Sequence, residues 1–154
     1  MAIDKIDRSL LNLLQNNTKL NTKELAQKVG LSITPTYERI KRLEKQGYIK
    51  HYVAILDRKL IDKNLMVISF VSLILHSKDV QIEFEQSVIE YAEVIECFHV
   101  TGSYDYQLKV VVSDMEEYQS FVKNKLSSIN NIANVQSSFV MSSLKDTTAI
   151  PIIA

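Results

Sequence analysis

Apolar positions in the first fifty residues recur at helical spacing in three blocks. Ile3, Ile6, Leu10, Leu13 and Leu14 mark one face of a first helix, and the polar run NNTKLN ends it. Leu25 and Val29 mark a second helix, announced by Asn21 and Glu24. The Asn21 side chain is placed to accept the Glu24 N–H, and the Glu24 carboxylate to reach back, as in a capping box. Gly30 suits the left-handed residue just past that helix, with Leu31 folding back as its hydrophobic contact. A third helix is predicted from Ile33 to Gln46. Ser32 is its expected cap, Pro35 lies in its first turn where a missing N–H removes no helical bond, and Gly47 stops it.

Two helices joined by so sharp a turn form a helix-turn-helix over residues 22–41. On the third helix Thr36, Ile40 and Leu43 share one stripe, while Thr34, Tyr37, Glu38, Lys41 and Arg42 lie away from it. In a major groove that outer face would bring hydroxyls and guanidinium groups to base edges, and the helix N-terminus would favour phosphate. The expected DNA-contacting set is Ser32, Thr34, Tyr37, Glu38, Arg39, Lys41 and Arg42, led by Arg39 and Arg42. The bland alternative is a solvated face with pairs such as Glu38 and Arg42 at i,i+4. The cap, turn, serine and proline together favour DNA.

After Gly47, YIKHYVAIL is rich in β-branched and aromatic residues and is expected to form a strand or short hairpin, the wing of a winged helix-turn-helix over 1–56. A polar hinge is expected over 57–64. Beyond it LMVISFVSLIL predicts a strand, and Asp79 to Tyr91 a helix with Val80, Phe84, Val88 and Tyr91 on one face. VIECFHVTG and YDYQLKVVVS predict a hairpin. Asp114 is placed to cap a helix running through Ser128 with Tyr118, Phe121, Val122 and Leu126 inward, and IANVQSSFVMSS predicts a fourth strand. The order β-α-β-β-α-β over 65–154 is the ferredoxin-like split unit, so the fold class is α+β. TTAIPII is expected to add an edge strand, where Pro151 is tolerable.

Composition narrows the function. With 46% hydrophobic and 23% charged residues, the 154-residue chain is ordinary for a globular protein. Its apolar runs are too short to span a bilayer, and MAIDKIDRS lacks the apolar segment of a secretory signal, so a cytoplasmic protein without a membrane partner is expected. The formal net charge of zero hides an asymmetry. Residues 1–62 hold 12 Lys+Arg against 7 Asp+Glu, and residues 63–154 hold 6 against 11. A basic first half suits a polyanion that the acidic second half would repel. Cys97 is a lone cysteine, and His51, His76 and His99 are scattered without metal-ligand spacing. Cys97 and His99 at i,i+2 lack an orienting partner, so neither catalysis nor a cofactor is expected.

The pieces IDKIDRSLLNLLQNN, ELAQKVGLS, TPTYERIKRLEKQGYI, ECFHVTGSYDYQLKV and SDMEEY together resemble the Lrp/AsnC (feast/famine) transcription regulators over essentially the whole chain. The resemblance implies a sequence-specific, nucleoid-associated regulator of double-stranded DNA. It also implies a C-terminal regulatory domain that dimerises, assembles further into tetramers or octamers, and binds leucine or another small amino acid between dimers. A strand such as VISFVSLIL, apolar on both faces, needs a cover for its second face, which dimerisation would supply.

The resemblance places the effector at the loop GSYD. There Gly102 and Ser103 can offer backbone N–H groups to a carboxylate and Asp105 can pair with an ammonium, with Tyr104 between them. By family position Val100, Met115, Ser137 and Ser138 line the same region. The alternative is a plain β-turn with Asp105 bonding its own backbone. Two rival functions stand beside the regulator: an architectural DNA-binding protein without effector, exposed by a specificity ratio near unity, and an amino-acid sensor acting on a protein partner, exposed by failure to bind genomic DNA.

Overall fold

The computed structural model describes residues 3–153. The chain divides into two compact units, one made of Met1–Ile55 with Lys145–Ala154 and the other of Leu56–Leu144.

The first unit is built on three helices, α1 (Lys5–Asn16), α2 (Thr22–Val29) and α3 (Ile33–Lys45). The first two each begin at a side chain that accepts a free N–H of the first turn. Asp4 accepts the Asp7 N–H at 2.8 Å, and the Asp7 carboxylate accepts the Asp4 N–H at 3.2 Å. Asn21 accepts from Glu24 N at 3.0 Å, and Glu24 accepts from Asn21 N at 2.8 Å, so the predicted capping box forms. Gly30 takes the left-handed conformation at φ 71°, and the Leu31 N–H then donates back to the Ala26 carbonyl. Leu10, Leu11, Leu14, Leu25, Ile40 and Leu43 close the core between the helices.

Two expectations for this unit change. YIKHYVAIL forms no strand. A ladder needs a partner, and this run holds no turn residue with which to fold back on itself. TTAIPII is not an edge strand of the second unit either. The Ile150 N–H donates to Gln15 Oε1 at 2.9 Å and the Ile150 carbonyl accepts from Gln15 Nε2 at 2.8 Å, while Asn12 Nδ2 donates to the Ile152 carbonyl at 3.1 Å. Asn12 and Gln15 share one face of α1, so their side-chain amides supply the bonds that a neighbouring strand would have given.

The second unit opens with a 3-10 turn at Arg58–Ile61, within the expected hinge. It continues as β1 (Leu65–Leu73), α4 (Lys78–Ile89), β2 (Val94–His99), β3 (Tyr106–Val112), α5 (Met115–Asn124), a 3-10 turn at Leu126–Ser128, and β4 (Ile132–Phe139). The sheet is antiparallel in the order β2-β3-β1-β4, the expected split βαβ topology. Alternation sorts the side chains. Val67, Val71, Leu73, Tyr106, Leu108, Val110 and Val112 face the helices and pack on Phe84, Val88, Tyr118 and Phe121. Ile68 and Phe70 of β1 alternate to the other face, which no helix of the unit covers. Asp114 caps α5 by accepting from Glu117 N at 2.9 Å.

Candidate nucleic-acid interface and effector loop

On α3 the inward stripe is as predicted. Thr36 and Leu43 are fully buried, Ile40 is nearly so, and the Thr36 hydroxyl donates to the Ser32 carbonyl at 2.9 Å, which satisfies it inside the core. Opposite, Ser32, Ile33, Thr34, Tyr37, Glu38 and Lys41 are exposed. Ser32 occupies the cap position, but its side chain makes no cap bond, which corrects the expected role. No side chain therefore covers the first-turn N–H groups of α3. Lys41 Nζ donates to Glu44 Oε2 at 2.7 Å and sits 5.7 Å over the Tyr37 ring. Glu44 holds the lysine pKa above its ordinary value, and Lys41 holds the glutamate below its own. The Tyr52 phenol donates to Glu44 Oε1 at 3.0 Å, and burial first, then that carboxylate, push its pKa up to about 12. Tyr37, Lys41, Glu44 and Tyr52 rim an open cavity of ≈ 260 Å³ floored by Leu14, Leu20, Leu25 and Ile40.

Arg39 and Arg42, with 25% and 38% of their side chains exposed, are held by carboxylates at the start of α1. Arg39 Nη1 donates to Asp4 Oδ2 at 2.6 Å and Asp7 Oδ1 at 2.8 Å, and Arg42 Nη2 donates to Asp7 Oδ2 at 2.6 Å. The two strongest candidates from the sequence are thus turned toward α1. The Asp7 N–H and then the Arg39 guanidinium hold the Asp4 carboxyl below its usual range.

In the second unit the loop from Val100 to Asp105 closes the β2–β3 hairpin. Val100 N donates to the Asp105 carbonyl at 2.8 Å, and Asp105 N donates across to the Val71 carbonyl at 2.9 Å. Gly102 lies at φ 129°, a conformation that side chains disfavour, and Gly102 and Ser103 are exposed. Asp105 Oδ2 accepts the Leu73 N–H at 2.7 Å, and His76 Nε2 approaches Oδ1 at 3.1 Å. The Tyr104 phenol donates to Gln136 Oε1, and its ring lies 5.2 Å from that of Phe70.

Residues 66–150 match the Lrp/AsnC ligand binding domain, and residues 3–50 match a winged helix-turn-helix DNA-binding family. The chain is 39% identical over 150 residues to the Bkd operon transcriptional regulator of Pseudomonas aeruginosa, covering 97% of this chain and 98% of that one. It is 41% identical over 146 residues to the leucine-responsive regulatory protein of Haemophilus influenzae, covering 95% and 88%. The crystal structure of a Neisseria meningitidis transcriptional regulator in complex with L-Met superposes with a TM-score of 0.93 at 36% identity, covering 97% of each chain. An AsnC family regulator from Agrobacterium tumefaciens superposes at 0.92 with 37% identity, also covering 97% of each.

The chain belongs to the Lrp/AsnC family of DNA-binding transcription regulators.

In this Lrp/AsnC regulator the eight effector candidates divide into groups. Val100, Gly102, Ser103, Tyr104 and Asp105 share the hairpin loop. Ser138, paired with Ile68, lies on the helix-free sheet face. Ser137 lies on the opposite face, where its Oγ is 2.6 Å from the Tyr118 phenol oxygen, so its hydroxyl is spent on the core. Met115 is exposed at the start of α5, beyond the far end of β3, a seven-residue strand spanning about 20 Å. One copy of the chain does not bring Met115 to the loop. Cys97 and His99 register with the helix-facing Leu108 and Tyr106, and His99 stacks on the Tyr106 ring at 4.8 Å. Burial, with Glu85 nearby, pushes the Cys97 thiol up, which suits packing.

Sequence reasoning passed over Asp4 and Asp7, the acids that hold Arg39 and Arg42. Their signal was an Asp-x-x-Asp at the start of α1, a capping box written with aspartate at its third helical position.

Proposed function

We propose that the α3 face of Ser32, Thr34, Tyr37, Glu38 and Lys41 enters the major groove of double-stranded DNA. We propose further that the GSYD loop takes a small amino acid at a site shared between copies of the chain. For DNA, the carrying observation is α3 itself: a rigid helix seated on buried Thr36, Ile40 and Leu43, with an uncapped N-terminus and an exposed face of hydroxyls, a phenol and an ammonium. A symmetric dimer would set two such helices about 34–36 Å apart or a multiple of it, so operators are pseudo-palindromic. The action takes place in the cytoplasm on the nucleoid.

For the effector, exposed Gly102 and Ser103 N–H groups suit a carboxylate, and the Asp105 carboxylate, anchored by Leu73 N–H, suits an ammonium. The distance from this loop to Met115 favours a site completed by a second copy, in a dimer, tetramer or octamer of the chain. The relatives named for leucine and bound to L-Met favour leucine, methionine or another small amino acid. A ligand coupled to DNA binding through such an assembly typically shifts affinity by about 5- to 150-fold.

A thermal-shift screen against the twenty amino acids tests the effector reading, since ligand at 100 times its Kd stabilises by about 2.7 kcal/mol. A flat screen would remove it. Gel shifts with genomic fragments and random competitor test the DNA reading, and a specificity ratio near unity would leave a non-specific DNA coat instead.

A further inference from the structure

Asp7 is a buried carboxylate with a side-chain exposure of 2%, and both of its oxygens are taken by guanidinium groups from another helix. Arg39 and Arg42 lie at i,i+3 on one side of α3, so they close on Asp7 as two jaws, and Asp4 adds a second acceptor for Arg39 at 2.6 Å. Two carboxylates thus neutralise two guanidinium groups. Lys41 is paired with Glu44. On α3 Arg39 and Arg42 are thus tied to α1 and Lys41 to Glu44, while its outer face carries hydroxyls, a phenol, the Glu38 carboxylate and the shared Lys41 ammonium.

Such a buried pair is a poor source of net stability, because desolvation offsets most of the attraction, yet removing one partner strands the other charge. Its geometric effect is definite. Three charge-assisted bonds from one turn of α3 converge on one turn of α1 and restrict rotation of α3 about its own axis, which apolar packing alone leaves softer. Rotation about that axis decides which side chains reach base edges.

We propose that Asp4 and Asp7 are positioning residues for DNA recognition, setting the rotation of α3 through Arg39 and Arg42, which do not themselves contact DNA. The proposal rests on the reading of α3 as the DNA helix. It predicts that loss of the clamp lowers discrimination between sequences more than it lowers attraction to DNA as such, because phosphate contacts tolerate a small rotation and base-edge contacts do not.

The test uses the full chain. A duplex is selected from a randomised library by the wild-type protein, and affinities for it and for a scrambled duplex are measured over a salt series with wild type, Asp7→Asn, Asp4→Asn and Arg39→Gln. Asp4→Asn keeps a good helix cap while removing the charge, so it remains informative where the buried Asp7→Asn fails to fold. The expected result is a specificity ratio reduced about tenfold in Asp7→Asn, the scale of one mismatched base pair, and less in Asp4→Asn. Affinity for the scrambled duplex and the salt slope stay at the wild-type values in all three variants. An unchanged ratio in folded Asp4→Asn and Arg39→Gln would overturn the proposal. So would a salt slope flattened by about one unit in Arg39→Gln, the signature of a lost phosphate contact, or steepened in the aspartate variants, the signature of a freed one. A wild-type chain that enriches no duplex overturns the reading of α3 and the proposal with it. Enrichment by wild type with no change in the variants overturns the proposal alone.

Discussion

The Tyr118 phenol oxygen of α5 lies 2.6 Å from Ser137 Oγ on β4, and Ser69 Oγ, fully buried on β1, lies 2.9 Å from the same phenol. This three-hydroxyl chain ties the helix to two strands and leaves no buried side-chain polar atom unpaired among the described residues. Tyr118→Phe would strand Ser69 in the core and is expected to destabilise by about 1–3 kcal/mol in urea unfolding. Ser137→Ala leaves Ser69 its partner and costs less. The same variant should keep its response to any amino acid that stabilises the wild type, because this hydroxyl is turned away from the GSYD loop.

Gly30 at φ 71° has open space where a Cβ would sit, so any penalty for a side chain there is conformational and not a clash. Gly30→Ala is expected to cost about 1–2 kcal/mol, and Gly30→Asn less, since asparagine tolerates the left-handed region. Thermal unfolding of the two variants, compared with wild type, measures the difference.

Acid should loosen the start of the second unit. Lys63 Nζ lies 2.9 Å from Glu117 Oε1, and the Ser113 N–H donates to Oε2 at 2.6 Å. The lysine first, then the Ser113 N–H, lower the Glu117 pKa to about 2. A carboxylate depressed on folding contributes stability that is complete above its ordinary value of 4.5 and is lost as pH falls toward 2. The pair is partly exposed and screened, so the contribution is on the order of 1 kcal/mol. In Glu117→Gln the drop in Tm between pH 5 and pH 2.5 should be smaller than in wild type.

Asp105→Asn retains an oxygen for the Leu73 N–H but removes the charge offered to an ammonium. The expected outcome is an unliganded Tm close to wild type, with loss of most of the amino-acid-induced shift. An undiminished shift would take Asp105 out of the site.

Gln15→Ala removes both bonds between its amide and the Ile150 backbone. The C-terminal tail should then be cut faster in limited proteolysis, with little change in the CD of the helices.

Much of this molecule was legible locally. The capping box at Asn21 and Glu24, the Gly30 turn, the α3 stripe of Thr36, Ile40 and Leu43, and the strand and helix order of the second unit follow from side-chain periodicity and cap chemistry, which act over a few residues. The family, too, was legible in its motifs. What could not be read were partners distant in sequence. YIKHYVAIL has strand composition and no strand to pair with, and TTAIPII found its bonds on Asn12 and Gln15, some 135 to 140 residues away.

The charge on α3 shows the division most sharply. Sequence alone determined that Arg42 lies off the buried stripe, because spacing on a helix determines direction around its axis, and it named Arg39 beside it as a DNA-contact candidate. Only the tertiary structure decided that Asp4 and Asp7 stand within 2.6–2.8 Å of them, because the packing of α1 across α3 sets which opposite charge each guanidinium meets. An arginine's role depends on the nearest carboxylate, and in this fold that carboxylate lies over thirty residues upstream.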